Sequence, residues 1–361
     1  MAIESKRILL VTSEFPPLPG GIGNHAFLLA KYLQKSNYEV SVLADYRSIK
    51  EDDGFDEAQF FKIIRVKRNF LTYINRFKKA FSLIKRNDVV ISSGKFSLWL
   101  GAFLKLFFKN KKYIAVLHGS ELKAGNHIVQ KLTKWSLSKY DNLIAVSNFT
   151  KEYALQVNPN LKIDVINNGI EINTIAEKRT ISNEINLVTV GNVTYRKGQQ
   201  NVIKALPLLK EYFPSIHYHC IGIPTEKSDF LELAKELNVE HNVTFHGKLE
   251  DDDKMQLLRE GTIFIMLSDI VKNDFEGFGI AILEANSVGL PAIGSNNSGI
   301  VDAINNHFSG FLVNPHNKEE ILKAVHSILN DYANFSENAI SWAYQFDWKK
   351  VIEKYVKIIE Q

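Results

Sequence analysis

The sequence predicts an α/β protein made of two doubly wound parallel sheets, and three observations carry that prediction. Short apolar runs alternate with stretches of helical spacing through the first half of the chain, and the same alternation restarts in the second half. Between the two lies a polar segment, Glu171–Glu184, with no long apolar run. At 361 residues the chain is also long enough for two cores of ordinary size, at about 150 residues each.

Arg7–Thr12 (RILLVT) is an apolar run closed by a Pro/Gly-rich loop, which predicts a buried strand. Asn24–Gln34 follows with apolar residues at helical spacing, and Glu39–Ala44 returns to strand character. Further strands are predicted at Ile63–Lys67, Asp88–Ser92, Tyr113–His118, Asn142–Ser147 and Lys162–Ile166. Parallel strands covered by helices on both faces read as continuous apolar runs rather than as alternation. After the linker come Ile185–Val190, a helix over Gln199–Tyr212, and strands at His217–Ile223, Val243–His246, Ile263–Leu267, Pro291–Gly294 and Gly310–Val313. Trp342–Ile359 reads as one helical tail. The predicted division is residues 1–175, 176–341 and a closing helix over 342–361. Ligands of open α/β sheets bind at the carboxyl ends of strands, so a cleft between two such domains facing each other is the expected site.

Composition excludes several classes. Apolar residues make up 45% and charged residues 23%, a globular balance that rules out wholesale disorder. The net charge of +4 is too small an excess to argue for nucleic acid. A lone cysteine, Cys220, excludes an internal disulfide framework and a multi-cysteine zinc site. No apolar run reaches the roughly 18 residues of a membrane span, and Met1–Lys6 runs directly into a strand with no visible signal peptide. A cytoplasmic protein is expected.

Four segments carry candidate chemistry. Pro16–Asn24 (PPLPGGIGN) lies between the first strand and first helix, where glycines let a phosphate approach helix amides. Gly21, Gly23 and Ala26 fit a dinucleotide fingerprint with Asp45 about 20 residues on, but eight residues separate Thr12 from Gly21 where the fingerprint needs a tight turn. The plainer reading is a surface loop. His118, in YIAVLHGSE, ends a strand and is placed either for structure or to meet a substrate hydroxyl or phosphate. In GNVTYRKG, Arg196 and Lys197 precede a helix and suit a diphosphate, although solvated basic loops share that pattern. In DFEGFGIAILEAN, Gly277 and Gly279 flank Phe278 ahead of an apolar helical run, with Glu276 before the turn and Glu284 eight residues on, two helical turns in. Carboxylates accept paired hydrogen bonds from a ribose diol, and two glutamates with two glycines at fixed offsets are hard to explain by packing.

Other features read as structural. Glu250–Asp253 (EDDD) imitates an acidic metal motif but precedes a helix and suits its cap and first turn. His217 and His219 share one face of a strand with no third ligand nearby in sequence, and Cys220 lies in the same apolar run. Phe70–Arg86 and Leu98–Lys112 are both basic and apolar, which fits crossover helices with wet lysines and also fits contact with an anionic membrane surface.

Taken together these segments resemble the retaining glycosyltransferases of family 4, the group 1 enzymes that include glycogen-synthase-like and mannosyltransferase-like members, with the GT-B architecture. The resemblance runs through RILLVTSEFPPLPGGIGNH, LHGSE, AVSNFT, VINNGIE, GNVTYRKGQ, FEGFGIAILEANSVGLPAIGSNNSG and SGFLVNP, nearly the whole chain. It implies a nucleotide-diphosphate-sugar donor, a glycan or lipid-linked acceptor, and no metal or other cofactor. Glu284 would hold the ribose, and Lys197 with Arg196 the diphosphate. Glu276 and the backbone of Gly277, Phe278 and Gly279 would meet the sugar, with Ile280 beside them among the donor-binding residues. Gly21 and its loop would close on the diphosphate, and His118 would approach the sugar or acceptor as a catalytic residue with Glu276. Asn192 would also lie among the donor-binding residues; the family often has Arg at its position, and Arg196 is the cation available to replace that charge. The weighed alternatives are an NAD-dependent oxidoreductase and a non-catalytic two-domain small-molecule binding protein.

Overall fold

The computed structural model describes residues 6–17, 20–122, 126–172, 179, 184–272 and 274–361. The chain divides into two compact units, Met1–Gly169 with Trp348–Gln361, and Ile170–Asp347.

The first unit runs β1 (Arg7–Thr12), α1 (Gly21–Lys35), β2 (Glu39–Asp45), α2 (Ile49–Glu57), β3 (Lys62–Val66), α3 (Thr72–Leu83), β4 (Val89–Ser93), α4 (Lys95–Phe107), β5 (Lys112–Leu117), α5 (His127–Leu137), β6 (Asn142–Ala145), α6 (Asn148–Val157) and β7 (Ile163–Val165). Its sheet has the order β3-β2-β1-β4-β5-β6-β7, and every pairing is parallel. Ile8 to Val11, Val89 to Ile91 and Tyr113 to Leu117 are buried, which is why these strands are legible as unbroken apolar runs.

The second unit runs β8 (Ile185–Val190), α7 (Gln199–Tyr212), β9 (Ile216–Ile221), α8 (Lys227–Glu236), β10 (Val243–Gly247), α9 (Asp251–Glu260), β11 (Ile263–Met266), α10 (Ile280–Ser287), β12 (Ala292–Ser295), β13 (Gly310–Val313), α11 (Lys318–Asn330) and α12 (Tyr332–Ala343). Its sheet, β10-β9-β8-β11-β12-β13, is also all parallel. One face packs Leu187, Tyr218, Cys220 and Ile265 against Val202, Leu206 and Phe230 of α7 and α8.

The last helix, α13 (Trp348–Glu360), belongs to the first unit. The single tail predicted from Trp342 is therefore two helices, because α12 ends at Ala343 and a short 3-10 turn over Tyr344–Phe346 leads to Asp347, whose ψ of 130° is extended. Trp348 is fully buried and stacks on Tyr32 of α1 at 5.8 Å between ring centroids. His25 of α1 meets the Tyr355 hydroxyl at 3.1 Å, and Lys6 pairs with Glu360 at 2.6 Å.

Candidate active site

The second sheet reverses its strand order between β8 and β11. Connections from two such neighbours leave toward opposite faces, so their carboxyl ends frame a crevice. The loop after β8 delivers Arg196 and Lys197, and the loop after β11 delivers Glu276. Gly198 lets the two loops touch. Its φ is +81°, and a Cβ there would lie 1.8 Å from the Leu267 carbonyl oxygen, so no other residue fits. The Asp269 amide donates to the Arg196 carbonyl at 2.9 Å, and the Asn201 side-chain amide donates to the Leu267 carbonyl at 3.0 Å and to Asp269 Oδ2 at 3.1 Å.

The two cations and the carboxylate meet. Arg196 Nη1 lies 2.6 Å and Lys197 Nζ 2.8 Å from the same oxygen, Glu276 Oε2, and Arg196 Nε lies 3.6 Å from Asp274. Burial alone would raise the Glu276 carboxyl, but the two charges outweigh it and hold the group at about 2. The Glu276 side chain is 13% exposed, so this ion trio is shielded rather than a solvated surface contact.

Glu284 lies one helical turn into α10 rather than the predicted two, because the helix starts only at Ile280. Its Oε2 is 3.4 Å from Lys254 Nζ of α9, and Lys254 also meets Asp251 at 3.0 Å. Burial works to lower the Lys254 ammonium, yet Glu284 and Asp251 hold it above the usual lysine value. Nothing in the sequence around Lys254, which follows an acidic run, marks it as the partner of Glu284. That run is indeed the cap and first turn of α9. Gly279 caps α10 with φ +89°, and Ile280 is its first residue. The Phe278 ring is buried and packs on Phe346 at 5.9 Å, so only its backbone is left for a ligand. Asn192 is exposed, its carbonyl held by the Gln199 side-chain amide at 3.2 Å.

In the first unit, His118 follows β5 and its Nε2 lies 2.9 Å from the Ser93 hydroxyl at the end of β4. The His25 ring stands edge-on to it at 5.0 Å. Burial pushes His118 down to about 3 and leaves the imidazole neutral. Behind it, fully buried Glu121 accepts the His118 backbone N–H at 3.0 Å, and burial pushes this carboxyl up to about 7. Glu121 and His25 sit in quoted motifs, LHGSE and GGIGNH, but nothing in their spacing announced these contacts. Gly21 is the first residue of α1, not a loop residue, and Leu18 and Pro19 of its loop lie outside the described residues.

Asp45, the ribose acid of the dinucleotide reading, is spent elsewhere. It is 1% exposed and paired with Arg76, whose Nε lies 3.0 Å from its Oδ1. The His217–His219 pair gains a third ring, His246 of β10, whose Nε2 is 3.0 Å from His219 Nδ1. His217 meets Thr244 at 2.8 Å and His219 meets Asn186 at 3.2 Å, so these rings are satisfied by hydrogen bonds. Among the described residues no group of three or more His, Cys, Asp or Glu side chains is placed to hold a metal ion. A cavity of about 440 Å³, lined among others by Glu184, Asn186, His217, His219 and Glu260, lies at the amino ends of β8 and β9, away from the crevice. Cys220 is buried, and burial pushes its thiol up to about 12.

The fold and the cation–carboxylate cluster define a class: enzymes with two Rossmann-like units. Residues 19–174 match the model "Glycosyltransferase Family 4", and residues 171–345 match "Glycosyl transferases group 1". An uncharacterized glycosyltransferase of Methanocaldococcus jannaschii is 27% identical, over 97% of this chain and 94% of the relative. The glycogen synthase of Mycobacterium tuberculosis is 25% identical, over 96% and 92%. The Anabaena protein HepE, solved with UDP and glucose, superimposes with a TM-score of 0.81 at 18% identity, covering 98% of this chain and 99% of its own. The protein belongs to the group 1 glycosyltransferases, with the GT-B fold.

Proposed function

We propose that the protein is a retaining glycosyltransferase that moves a sugar from a nucleoside-diphosphate-sugar donor to a glycan or lipid-linked acceptor. The observation that carries this reading is the meeting of Arg196, Lys197 and Glu276 at the switch point of the second sheet. Two preorganised cations there stabilise negative charge as it develops on the departing diphosphate. Glu284 holds the ribose diol, and Glu276 with the Gly277–Gly279 backbone meets the sugar. The acceptor oxygen bonds to the anomeric carbon on the face from which the diphosphate leaves, and its proton passes to a departing phosphate oxygen. His118, with a neutral ring, serves as a hydroxyl or phosphate partner in the first unit. The UDP and glucose bound by the Anabaena protein belong to the same ligand class.

The cations stand in for the divalent ion that other sugar transferases use, so no metal or other cofactor is required. The acceptor reading draws on the first unit's surface. Phe70 is 91% exposed, Tyr73 and Ile74 are also exposed, and exposed Lys67, Arg68, Lys78 and Lys79 lie beside them in sequence. Basic and aromatic side chains together favour peripheral contact with an anionic cytoplasmic leaflet, where envelope glycans and glycolipids are built. Arg76, counted with that basic segment from sequence, is buried on Asp45 and takes no part. The test is slow hydrolysis of a panel of UDP-, GDP- and ADP-sugars with and without chelator. Release of a nucleoside diphosphate in both conditions supports the reading. No turnover of any donor overturns it, and loss in chelator restored by magnesium removes the metal-free mechanism.

A further inference from the structure

Arg196 and Lys197 are the two cations on which the donor reading rests, and both are already held by a carboxylate of the same chain. Glu276 Oε2 lies 2.6 Å from one and 2.8 Å from the other. A carboxylate oxygen offers the same acceptor chemistry as a phosphate oxygen, so it competes for the same donors. The backbone of Glu276 is fixed. Its carbonyl accepts the Gly299 amide at 2.8 Å, and a Cβ on Gly299 would come within 2.0 Å of the Gly277 carbonyl oxygen, so the segment is tightly wedged. An anion that takes the donors now on Glu276 must displace its carboxylate oxygen from them, by turning the Glu276 side chain aside.

We propose that Glu276 is an internal competitor for the diphosphate, and that displacing it lets this site discriminate a sugar-bearing donor from the spent nucleoside diphosphate. The inference rests on the donor reading above and deepens it. The physical logic is one of partners. Once a diphosphate takes those donors of Arg196 and Lys197, the Glu276 carboxylate has lost both contacts and sits near an anion. A donor's sugar hydroxyls give that carboxylate new hydrogen-bond donors. A nucleoside diphosphate has no donor sugar to place there, its ribose hydroxyls being assigned to Glu284, so the carboxylate pushes back toward the cations and favours release of the product. The same side chain thus acts against the product and in favour of the complete donor.

The experiment is calorimetric titration of the full chain with inorganic pyrophosphate, which has neither base nor sugar, and then with UDP and GDP. The proteins are the wild type, Glu276→Gln and Glu276→Asp. Gln keeps the shape and removes the charge. Asp keeps the charge but shortens its reach, and it guards against a Gln variant that fails to fold. The expected result is pyrophosphate affinity about tenfold higher in Glu276→Gln, equal to ~1.4 kcal/mol, with Glu276→Asp between it and the wild type. Sugar transfer or donor hydrolysis falls in the same variants, so tighter anion binding and lower turnover come together. Equal or weaker pyrophosphate and nucleotide binding by both variants, with the wild type binding normally, overturns the competitor role and leaves the donor reading standing. No binding of any of the three anions by any of the three proteins overturns both.

Discussion

Lys197 has little freedom to be anything but a fixed charge. It ends a short 3-10 turn whose next residue, Gly198, is locked against β11, and its ammonium is held on Glu276. Preorganised charge of this kind costs no reorganisation at the moment the diphosphate leaves, so Lys197→Ala is expected to lower turnover by about a hundredfold in single-turnover kinetics. A change below about threefold would shift the diphosphate role to Arg196. A second pair of residues, His118 and Glu121, bears on stability as well. His118 is pushed down to about 3 from 6.5, so the stability it contributes is complete above pH 6.5 and drains away as the pH falls toward 3. Glu121 is pushed up to about 7 from 4.5, so its contribution is complete below pH 4.5 and is lost as the pH rises toward 7. Between pH 4.5 and 6.5 they oppose each other, each on the order of 1 kcal/mol per pH unit. Urea unfolding at pH 7 and pH 5 should show His118→Gln less sensitive to acid than the wild type, and Glu121→Gln more sensitive. Identical pH dependence in all three proteins would refute the buried-pair account.

At the scale of elements, α9 and α10 hold the Lys254–Glu284 pair, the proposed ribose side of the candidate site, since α9 carries Lys254 and α10 carries Glu284. Both helices end at one guanidinium. Arg179 donates to the carbonyls of Leu258 at 3.2 Å, Val288 at 3.3 Å and Gly261 at 2.5 Å, and also to that of Arg259. Helix C-termini leave carbonyls without intrahelical partners, and a five-donor fork satisfies several at once. Arg179→Ala leaves those acceptors unmet, at about 1–3 kcal/mol, which in a unit of this size lowers the melting temperature by several degrees. It should also weaken nucleoside diphosphate binding without touching the ligand, because Lys254 and Glu284 lose their common anchor. An unchanged calorimetric affinity in a destabilised protein would confine Arg179 to stability. Elements also differ in how well sequence exposes them. The thirteen strands among the described residues fall where apolar runs predict them, and for central strands such as β1, β4 and β5, covered on both sides, no polar alternation confuses the pattern. The helix starts are less legible. α1 begins at Gly21 rather than Asn24, and its N-cap Gly20 makes no side-chain hydrogen bond to mark the start.

For the molecule as a whole, no helix among the described residues is long and apolar enough to cross a membrane. The exposed apolar and basic side chains around the start of α3 are the surface on which the proposed attachment to lipid rests. Each Lys or Arg near an anionic leaflet contributes about 1 kcal/mol, so several together give weak, salt-sensitive binding. Sedimentation with anionic and neutral vesicles should show binding that needs anionic lipid, falls with salt and is lost in Phe70→Ser/Lys78→Glu. Absence of binding to anionic vesicles at low salt would point to an acceptor that is not held at a membrane.

By itself the sequence determined the two α/β sheets and the loops and residue types of the candidate site. Strand burial, glycine-rich turns and helix starts are local matters, governed by neighbours a few residues away. The tertiary structure alone decided who meets whom. Arg196 and Glu276 are 80 residues apart in sequence and share an ion pair only because β8 and β11 are neighbours in the sheet. Lys254 reaches Glu284, and Asp45 is consumed by Arg76, for the same kind of reason. Charge pairing depends on distance in space, and distance in space is set by sheet order, which no stretch of residues records on its own.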